Sequence, residues 1–340
     1  MMGGMTTNGG GRHEPTSYEL QPPAQRHETP TGASRPQPSA VPEVPPPTVA
    51  PPTRPGDSSG SAAASGAETG AGRVVGGRYR LLERLGSGGM GTVWRARDEV
   101  VDRDVAIKEP RLPDHFTSAE RHTARQRMQR EARAAARIDH PSVVVIHDVV
   151  TENDSPWIVM ELLRGRSLAE VLDEGTLTPA EAARIGLAVL GALDAAHAAG
   201  VLHRDVKPGN VMIGGHDRVV LTDFGIAQLE GEQKLTETGG FVGSPEYIAP
   251  ERVLGRRPGP ESDLWSLGVM LYQAVEGVSP FRRQTTPSTL QAVLLAELPP
   301  PQHTADLTQA LVGLLRKEPE SRLSAQSARP LLRAALAPAT

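Results

Sequence analysis

The chain has 340 residues, a formal charge of −4 and 38% hydrophobic residues, enough to bury at least one sizeable core, and its 3 Trp, 4 Tyr and 4 Phe leave Leu, Val, Ile and Ala to fill most of it. Slight acidity and few aromatic rings argue against a nucleic-acid partner, which calls for basic stripes and stacking platforms. With no cysteine the chain forms neither a disulfide nor a thiolate zinc site and has no cysteine nucleophile, so any metal must be held by oxygen or imidazole.

Met1-Met2-Gly3-Gly4-Met5 leads into polar sequence without the apolar core of a signal peptide, and Met stands at position 2 where myristoylation requires Gly. The most apolar run, Ile185 to Leu202, is interrupted by Asp194 and His197 and falls short of an uncharged span of about 20 residues. A soluble, cytoplasmic protein without direct membrane insertion is expected. Thirteen of the 31 prolines fall between Pro15 and Pro55, and Ser58 to Gly72 is a Gly/Ala/Ser run. Residues 1–77 therefore offer almost nothing to bury and are expected to form a disordered arm. Pro45-Pro46-Pro47 and Pro51-Pro52 favour polyproline segments on which a partner could dock, a plain spacer being the alternative.

From Arg78 the pattern alternates. Tyr79 to Leu85 and Thr92 to Ala96 read as two strands of a hairpin, Val105 to Lys108 as a third, and Val143 to Val150 and Trp157 to Glu161 as further strands. Between them Ser118 to Ile138 reads as a helix opened by a capping box, Thr117 with Glu120. Beyond Leu163 the pattern is mainly helical. Thr178-Pro179 with Glu181 opens a long Ala/Leu helix that Gly200 stops, and helical periodicity returns at Asp263 to Glu276, Thr289 to Glu297, Ala305 to Lys317 and Ser324 to Leu336. The expected fold is α+β, with a small antiparallel sheet lobe carrying one main helix over 78–162 and a larger, mainly helical lobe over 163–337.

Gly86-Ser87-Gly88-Gly89-Met90-Gly91-Thr92-Val93 places glycine where backbone amides can approach phosphate oxygens. Because a strand follows rather than a helix, a flap over a nucleotide fits better than a dinucleotide-binding turn, with an ordinary glycine hairpin as the alternative. Lys108, on the third strand, can reach phosphates beneath such a flap. Met128, Glu131, Ala135 and Ile138 share one helical face, so Glu131 sits in an apolar stripe and Lys108 is its natural partner. Arg121, Arg125, Arg127, Arg130, Arg133 and Arg137 are read as the wet face of the same helix.

His203-Arg204-Asp205-Val206-Lys207-Pro208-Gly209-Asn210 follows the Ala-rich helix, and Asp223-Phe224-Gly225 follows the next strand. Here the chain resembles the eukaryotic-type serine/threonine protein kinases, above all their bacterial members, with matching motifs in family order from Gly86 to Arg322. The resemblance implies that Asp205 orients the acceptor hydroxyl and takes its proton, that Lys207 lies beside the transferred phosphoryl group, and that Lys108 contacts the nucleotide's phosphates. It implies Asn210 and Asp223 as ligands of Mg²⁺, or of Mn²⁺ in its place; magnesium keeps much of its water, so one carboxylate, one amide oxygen and the phosphates of ATP suffice. It also implies an adenine slot walled by Leu85, Val93, Ala106 and Met212, with Met160 behind and the backbone of Glu161 and Leu163 at its edge, although any of these apolar residues could equally be plain core.

Gly243-Ser244-Pro245-Glu246-Tyr247 and Ala249-Pro250-Glu251 resemble a peptide-docking shelf, and Lys207 two residues after Asp205 resembles the Ser/Thr rather than the tyrosine kinases. Ser/Thr hydroxyls of protein substrates are the implied acceptors, and the Ser244 hydroxyl is placed to bridge Asp205 and Lys207. By family position Arg322 pairs with Glu251 and Asp263 accepts backbone hydrogens of the catalytic loop. The resemblance implies that Arg204 before Asp205 marks a loop ordered by phosphorylation, with Thr236 and Thr238 as the autophosphorylated candidates and two solvent-exposed threonines as the alternative. Pairing of two copies through the small lobe is compatible with the resemblance. A nucleotide-binding scaffold and a small-molecule phosphotransferase are the competing functions; intact Lys108, Glu131, Asp205, Asn210 and Asp223 disfavour the first and the docking shelf the second.

Overall fold

The computed structural model describes residues 70–88, 91–113, 115–225 and 244–336, with the side chain of Ala305 left aside. The first part builds a six-stranded antiparallel sheet in the order β1-β2-β3-β4-β6-β5, from β1 (Val74–Val75), β2 (Tyr79–Gly88), β3 (Gly91–Asp98), β4 (Arg103–Pro110), β5 (Ile146–Glu152) and β6 (Ser155–Glu161). Period-two patterning sorts the strand residues by face. Val105, Ile107, Trp157 and Val159 enter a small core with Val75, Tyr79 and Leu81, whereas Ala106, Ile158 and Met160 join the main core on the opposite face. The helix α1 (Ser118–Ala135) begins at the expected capping box, Glu120 N–H donating to Thr117 Oγ1 at 3.3 Å while Glu120 accepts from Thr117 N–H at 2.8 Å, and buries Ala124, Met128, Ala132 and Ala135.

The boundary expected at residue 78 is corrected. Val75 is fully buried and pairs with Tyr79, Gly76 N–H donates to Glu152 Oε2 at 2.7 Å, and Arg73 bridges to Glu152 at 2.8 Å. Residues 70–77 are thus part of the sheet lobe. A five-residue stretch, Arg73 to Gly77, is too short for periodicity to reveal, and its glycines read as linker. Residues 1–69 lie outside the described residues.

Two short segments open the second part, β7 (Gly165–Ser167) and α2 (Leu168–Leu172), the latter begun by a capping box of Ser167 with Glu170. Then come α3 (Pro179–Ala198), β8 (Val211–Gly214), β9 (Val219–Leu221), α4 (Pro250–Val253), α5 (Pro260–Glu276), α6 (Thr286–Leu295), α7 (Thr308–Leu314) and α8 (Ala325–Ala334). The helix α5 is apolar nearly all round, and thirteen of its residues are buried, which marks it as the axis of this lobe. Trp265 of α5 stacks on Phe281 at 5.2 Å, and Gly268 lets α7 approach so closely that a Cβ there would lie 2.9 Å from that of Leu314. Strands β7, β8 and β9 form a three-stranded antiparallel sheet, and Val143 bridges to Leu221, so the segment expected to open β5 joins this sheet instead. Among the described residues no helix is long and apolar enough to cross a membrane.

Candidate active site

The register of β3, β4 and β6 assembles one wall. Val93 pairs with Lys108, Ala106 with Met160 and Lys108 with Ile158, so Val93, Ala106, Lys108 and Met160 share one face. Leu85 on β2 is half exposed, Leu163 and Met212 are half-buried, and Met212 pairs with Ser167 and Val220. Glu161 closes β6 with its carboxylate turned away to Arg218, in two bonds of 2.8 and 3.0 Å, and to Val145 N–H at 2.9 Å. Burial opposes its ionisation, but these donors hold the carboxyl below its ordinary value. The Glu161 N–H donates to Val145 O at 2.9 Å.

Gly86, Ser87 and Gly88 face Val93, Thr92 and Gly91 across the hairpin. Gly91 has φ +131°, and a Cβ there would lie 2.1 Å from the Glu109 carbonyl oxygen, so only glycine fits. Gly89 and Met90 lie outside the described residues.

Below the wall, the turn between α3 and β8 carries Asp205, Lys207 and Asn210. Lys207 Nζ donates to Asp205 Oδ2 at 2.7 Å, and Asn210 Nδ2 donates to the same oxygen at 2.9 Å and to the Asp205 carbonyl at 2.7 Å. Both amide hydrogens of Asn210 are thereby used, which leaves Oδ1 as its free donor atom for a cation. The turn is anchored from beneath. Asp263, buried in the first turn of α5, accepts from His203 N–H at 2.9 Å and from Arg204 N–H at 2.7 Å, and is 2.8 Å from His197 Nε2. Burial opposes the Asp263 charge, yet this set of partners holds its carboxyl below the ordinary value. Arg204 has φ +66°, a left-handed conformation that an arginine keeps only where its neighbours fix it.

Asp223, also left-handed at φ +58°, receives Lys108 Nζ at 2.7 Å on Oδ1. Desolvation opposes its ionisation and Lys108 overrides it, so the carboxyl lies below its ordinary value. Thr222 ties this end of β9 to the catalytic turn, its N–H and Oγ1 donating to Asn210 O at 2.8 and 3.1 Å. Gly225 N–H donates to His203 O at 3.0 Å, and a Cβ at Gly225 would press to 2.8 Å on that oxygen.

The expected pair of Lys108 with Glu131 is corrected. Glu131 accepts from Arg204 Nη1 at 3.0 Å and from Arg127 Nε at 3.1 Å, and it is half-buried at the edge of the apolar stripe rather than within it. The physical reason is supply: Asp223 offers Lys108 a nearer carboxylate, and two arginines compete for Glu131. Of the six arginines read as a wet face, only Arg130, Arg133 and Arg137 are exposed; Arg121, Arg125 and Arg127 are half-buried, and Arg127 turns to Glu131. Ser244 is half-buried on a cleft shared with Lys207, but among the described residues its hydroxyl bonds neither Asp205 nor Lys207. Thr236 and Thr238 lie outside the described residues. Glu251 and Arg322 form the bidentate pair expected of them, both contacts at 2.9 Å, with Ser262 Oγ adding a bond of 2.7 Å to Glu251.

Sequence reasoning gave no structural role to His203, although it quoted the residue, nor to His197, whose only signal was a polar break in an apolar run. Among the described residues no group of three or more His, Asp or Glu side chains could hold a metal alone. That suits a magnesium site, in which Asn210 and Asp223 would supply two oxygens and water and phosphate the rest.

The described geometry coincides with one sequence family. Residues 79–330 match the protein kinase domain. The chain is 37% identical over 252 residues to a probable serine/threonine-protein kinase of Clostridium perfringens, covering 73% of this chain and 36% of that protein. It is 37% identical over 229 residues to serine/threonine-protein kinase PrkC of Bacillus subtilis, covering 67% and 35%. With serine/threonine-protein kinase PknA of Mycobacterium tuberculosis it shares 40% identity over 236 residues, covering 68% and 54%. The chain thus spans about a third to a half of the length of these curated relatives.

Proposed function

The chain belongs to the protein kinase domain family, and on that premise we propose that it is a serine/threonine protein kinase that uses ATP with Mg²⁺, or Mn²⁺ in its place, to phosphorylate hydroxyls of protein substrates. The observation that carries the reading is the convergence of Lys207 and Asn210 on a single oxygen of Asp205, beside a Lys108–Asp223 pair on the facing wall. An aspartate held through Oδ2 is fixed in direction and keeps Oδ1 for an incoming hydroxyl.

In this reading Asp205 accepts the hydroxyl proton as the acceptor oxygen bonds the γ-phosphorus, and the bond to the bridging oxygen breaks to release ADP. Lys207 and Lys108 stabilise charge that spreads over the phosphate oxygens. Mg²⁺, when bound through Asn210 and Asp223, would supply further neutralisation of that charge. Val93, Ala106, Met160 and Met212 offer apolar walls for a purine, and the main chain of Glu161 and Leu163 its hydrogen-bonding edge. Autophosphorylation of Thr236 and Thr238 activates the enzyme in this proposal, with Arg204, which lies beside Glu131, as the cation that would clamp the phosphate. A cytoplasmic location, partners for the proline-rich arm and pairing through the small lobe belong to the same proposal.

The test is intact mass after incubation with Mg²⁺ and ATP. The parent should gain phosphate, Asp205→Asn should label roughly 10²- to 10⁴-fold more slowly, and the Thr236→Ala/Thr238→Ala variant should lose the slow rise in activity that accompanies labelling. A parent that labels neither itself nor any protein acceptor would sink the reading.

A further inference from the structure

Arg252 lies on α4, one position beyond the Ala249-Pro250-Glu251 motif. The helix that carries it is firmly fixed. Ala249 is fully buried, Arg252 N–H donates to Ala249 O at 3.0 Å, and Glu251 is held by Arg322 and Ser262. From this base the half-buried Arg252 side chain reaches the catalytic turn, where its Nη1 donates to the carbonyl oxygen of Arg204. Burial pushes the guanidinium below its ordinary value, and the charges of Asp263 and Asp205 oppose that shift. The arginine thus sits behind the turn that carries the proton acceptor.

The Arg204 carbonyl belongs to the peptide group whose N–H is that of Asp205, and this N–H donates to His203 Nδ1 at 3.2 Å. Arg252 and His203 therefore hold the two edges of one planar unit, from which the Asp205 side chain departs. On the other side of Arg204, its N–H is held by Asp263 at 2.7 Å, and the residue keeps its left-handed φ of +66° between these ties. A conformation of that kind is costly and persists only where the surroundings over-determine it. We infer that Arg252 is a positioning residue for phosphotransfer: by holding the Arg204 carbonyl it fixes the peptide plane ahead of Asp205 and so aims the Asp205 carboxylate at the acceptor hydroxyl. The inference rests on the kinase reading and adds to it a tie between α4 and the residue that takes the proton. Displacement of a reacting group by about 1 Å can cost roughly 100-fold in rate, so removing the tie should cost roughly 10- to 100-fold.

The experiment measures single-turnover phosphorylation of a serine peptide by the full chain and by Arg252→Ala, with Mg²⁺ and ATP, as a rate per folded molecule. The maximal rate should fall roughly 10- to 100-fold in the variant. The half-saturating ATP concentration should stay at the parent value, because the tie acts on Asp205 and not on Lys108, Asp223 or the sheet wall. Millimolar guanidinium chloride, which supplies the lost donor group, should restore part of the rate in Arg252→Ala and none in Asp205→Asn. An unchanged rate overturns the inference. So does a loss confined to ATP saturation, or a loss that guanidinium leaves in place, since general damage to the fold would then account for it. Should Arg252→Ala not fold, Arg252→Lys replaces it: the ammonium keeps the charge on a shorter stem without the planar fork, so the maximal rate falls at unchanged ATP saturation, and a parental rate overturns the inference. A parent that phosphorylates neither peptide nor itself is a separate outcome, which overturns the kinase reading and the inference with it.

Discussion

At the residue scale His203 decides how the catalytic turn is held. The ring is fully buried, its Nε2 lies 2.8 Å from the Thr222 carbonyl, and its Nδ1 accepts the Asp205 N–H at 3.2 Å. A carbonyl on one side and a backbone donor on the other fit only the neutral ring protonated at Nε2. Burial pushes the imidazole down from its ordinary 6.5 against the opposing pull of Asp263. The consequence for stability has a definite sign. Below 6.5 the unfolded chain takes up a proton that the folded chain refuses, so the contribution is complete above 6.5 and is lost as pH falls toward the folded value. Within that window the loss is at most about 1.4 kcal/mol per pH unit for one site. Thermal unfolding followed from pH 7.5 to 5 should show a fall that His203→Phe flattens by close to one proton. The comparison must be a difference between the two proteins, because His140 and His147 are also pushed down by burial. Equal slopes for parent and variant would show that the ring is not held neutral.

At the element scale the strap before β2 repays attention to its bonds. Besides burying Val75, it donates Gly72 N–H to Leu81 O at 2.8 Å, and Arg73 lies 5.1 Å over the Trp157 ring. Burying one valine contributes roughly 1.5 to 3 kcal/mol, so deletion of residues 1–77 should lower Tm by roughly 3 to 10 °C. Deletion of residues 1–69 should leave Tm unchanged, and identical melting of the two truncations would show that the strap does not hold the lobe. The contrast between this strap and α1 explains what can be read directly from residue order. A capping box and eighteen residues of periodicity announce α1, as Thr178 with Glu181 announces α3. Val74 and Val75, the three residues of β7 and the three of β9 carry no period of their own and exist because neighbouring strands complete their hydrogen bonds. The site follows the same rule. Asp205, Lys207, Asn210 and Asp223 were legible because each stands in a spaced motif, whereas the partner of Glu131 depends on where α1 sits relative to Arg204, which no local pattern encodes.

At the scale of the whole domain, two of the ion pairs that span the lobes lie at the candidate site. Lys108 of the sheet lobe holds Asp223 of the helical lobe, and Glu131 of α1 holds Arg204 of the catalytic turn. Each pair occupies groups that the proposed reaction needs elsewhere: Lys108 and Asp223 satisfy each other where a nucleotide's phosphate and a magnesium ion would separate them. The pairing compensates a buried cation, since a buried lysine left unpaired would carry an uncompensated charge. In the proposed reaction a nucleotide phosphate would draw Lys108 from Asp223, and Glu131 would then exchange Arg204 for Lys108, which shares the sheet face of Ala106. The two states make opposite statements about energetic coupling. In the nucleotide-free protein, Glu131→Gln and Arg204→Gln should be non-additive in thermal stability by roughly 0.5 to 3 kcal/mol, whereas Glu131→Gln and Lys108→Met should add within a few tenths. In kcat/KM for phosphotransfer the order should reverse, with Lys108 and Glu131 coupled. Coupling of Lys108 with Glu131 in the unliganded melt would refute the exchange, because the two would then be partners before any nucleotide arrives.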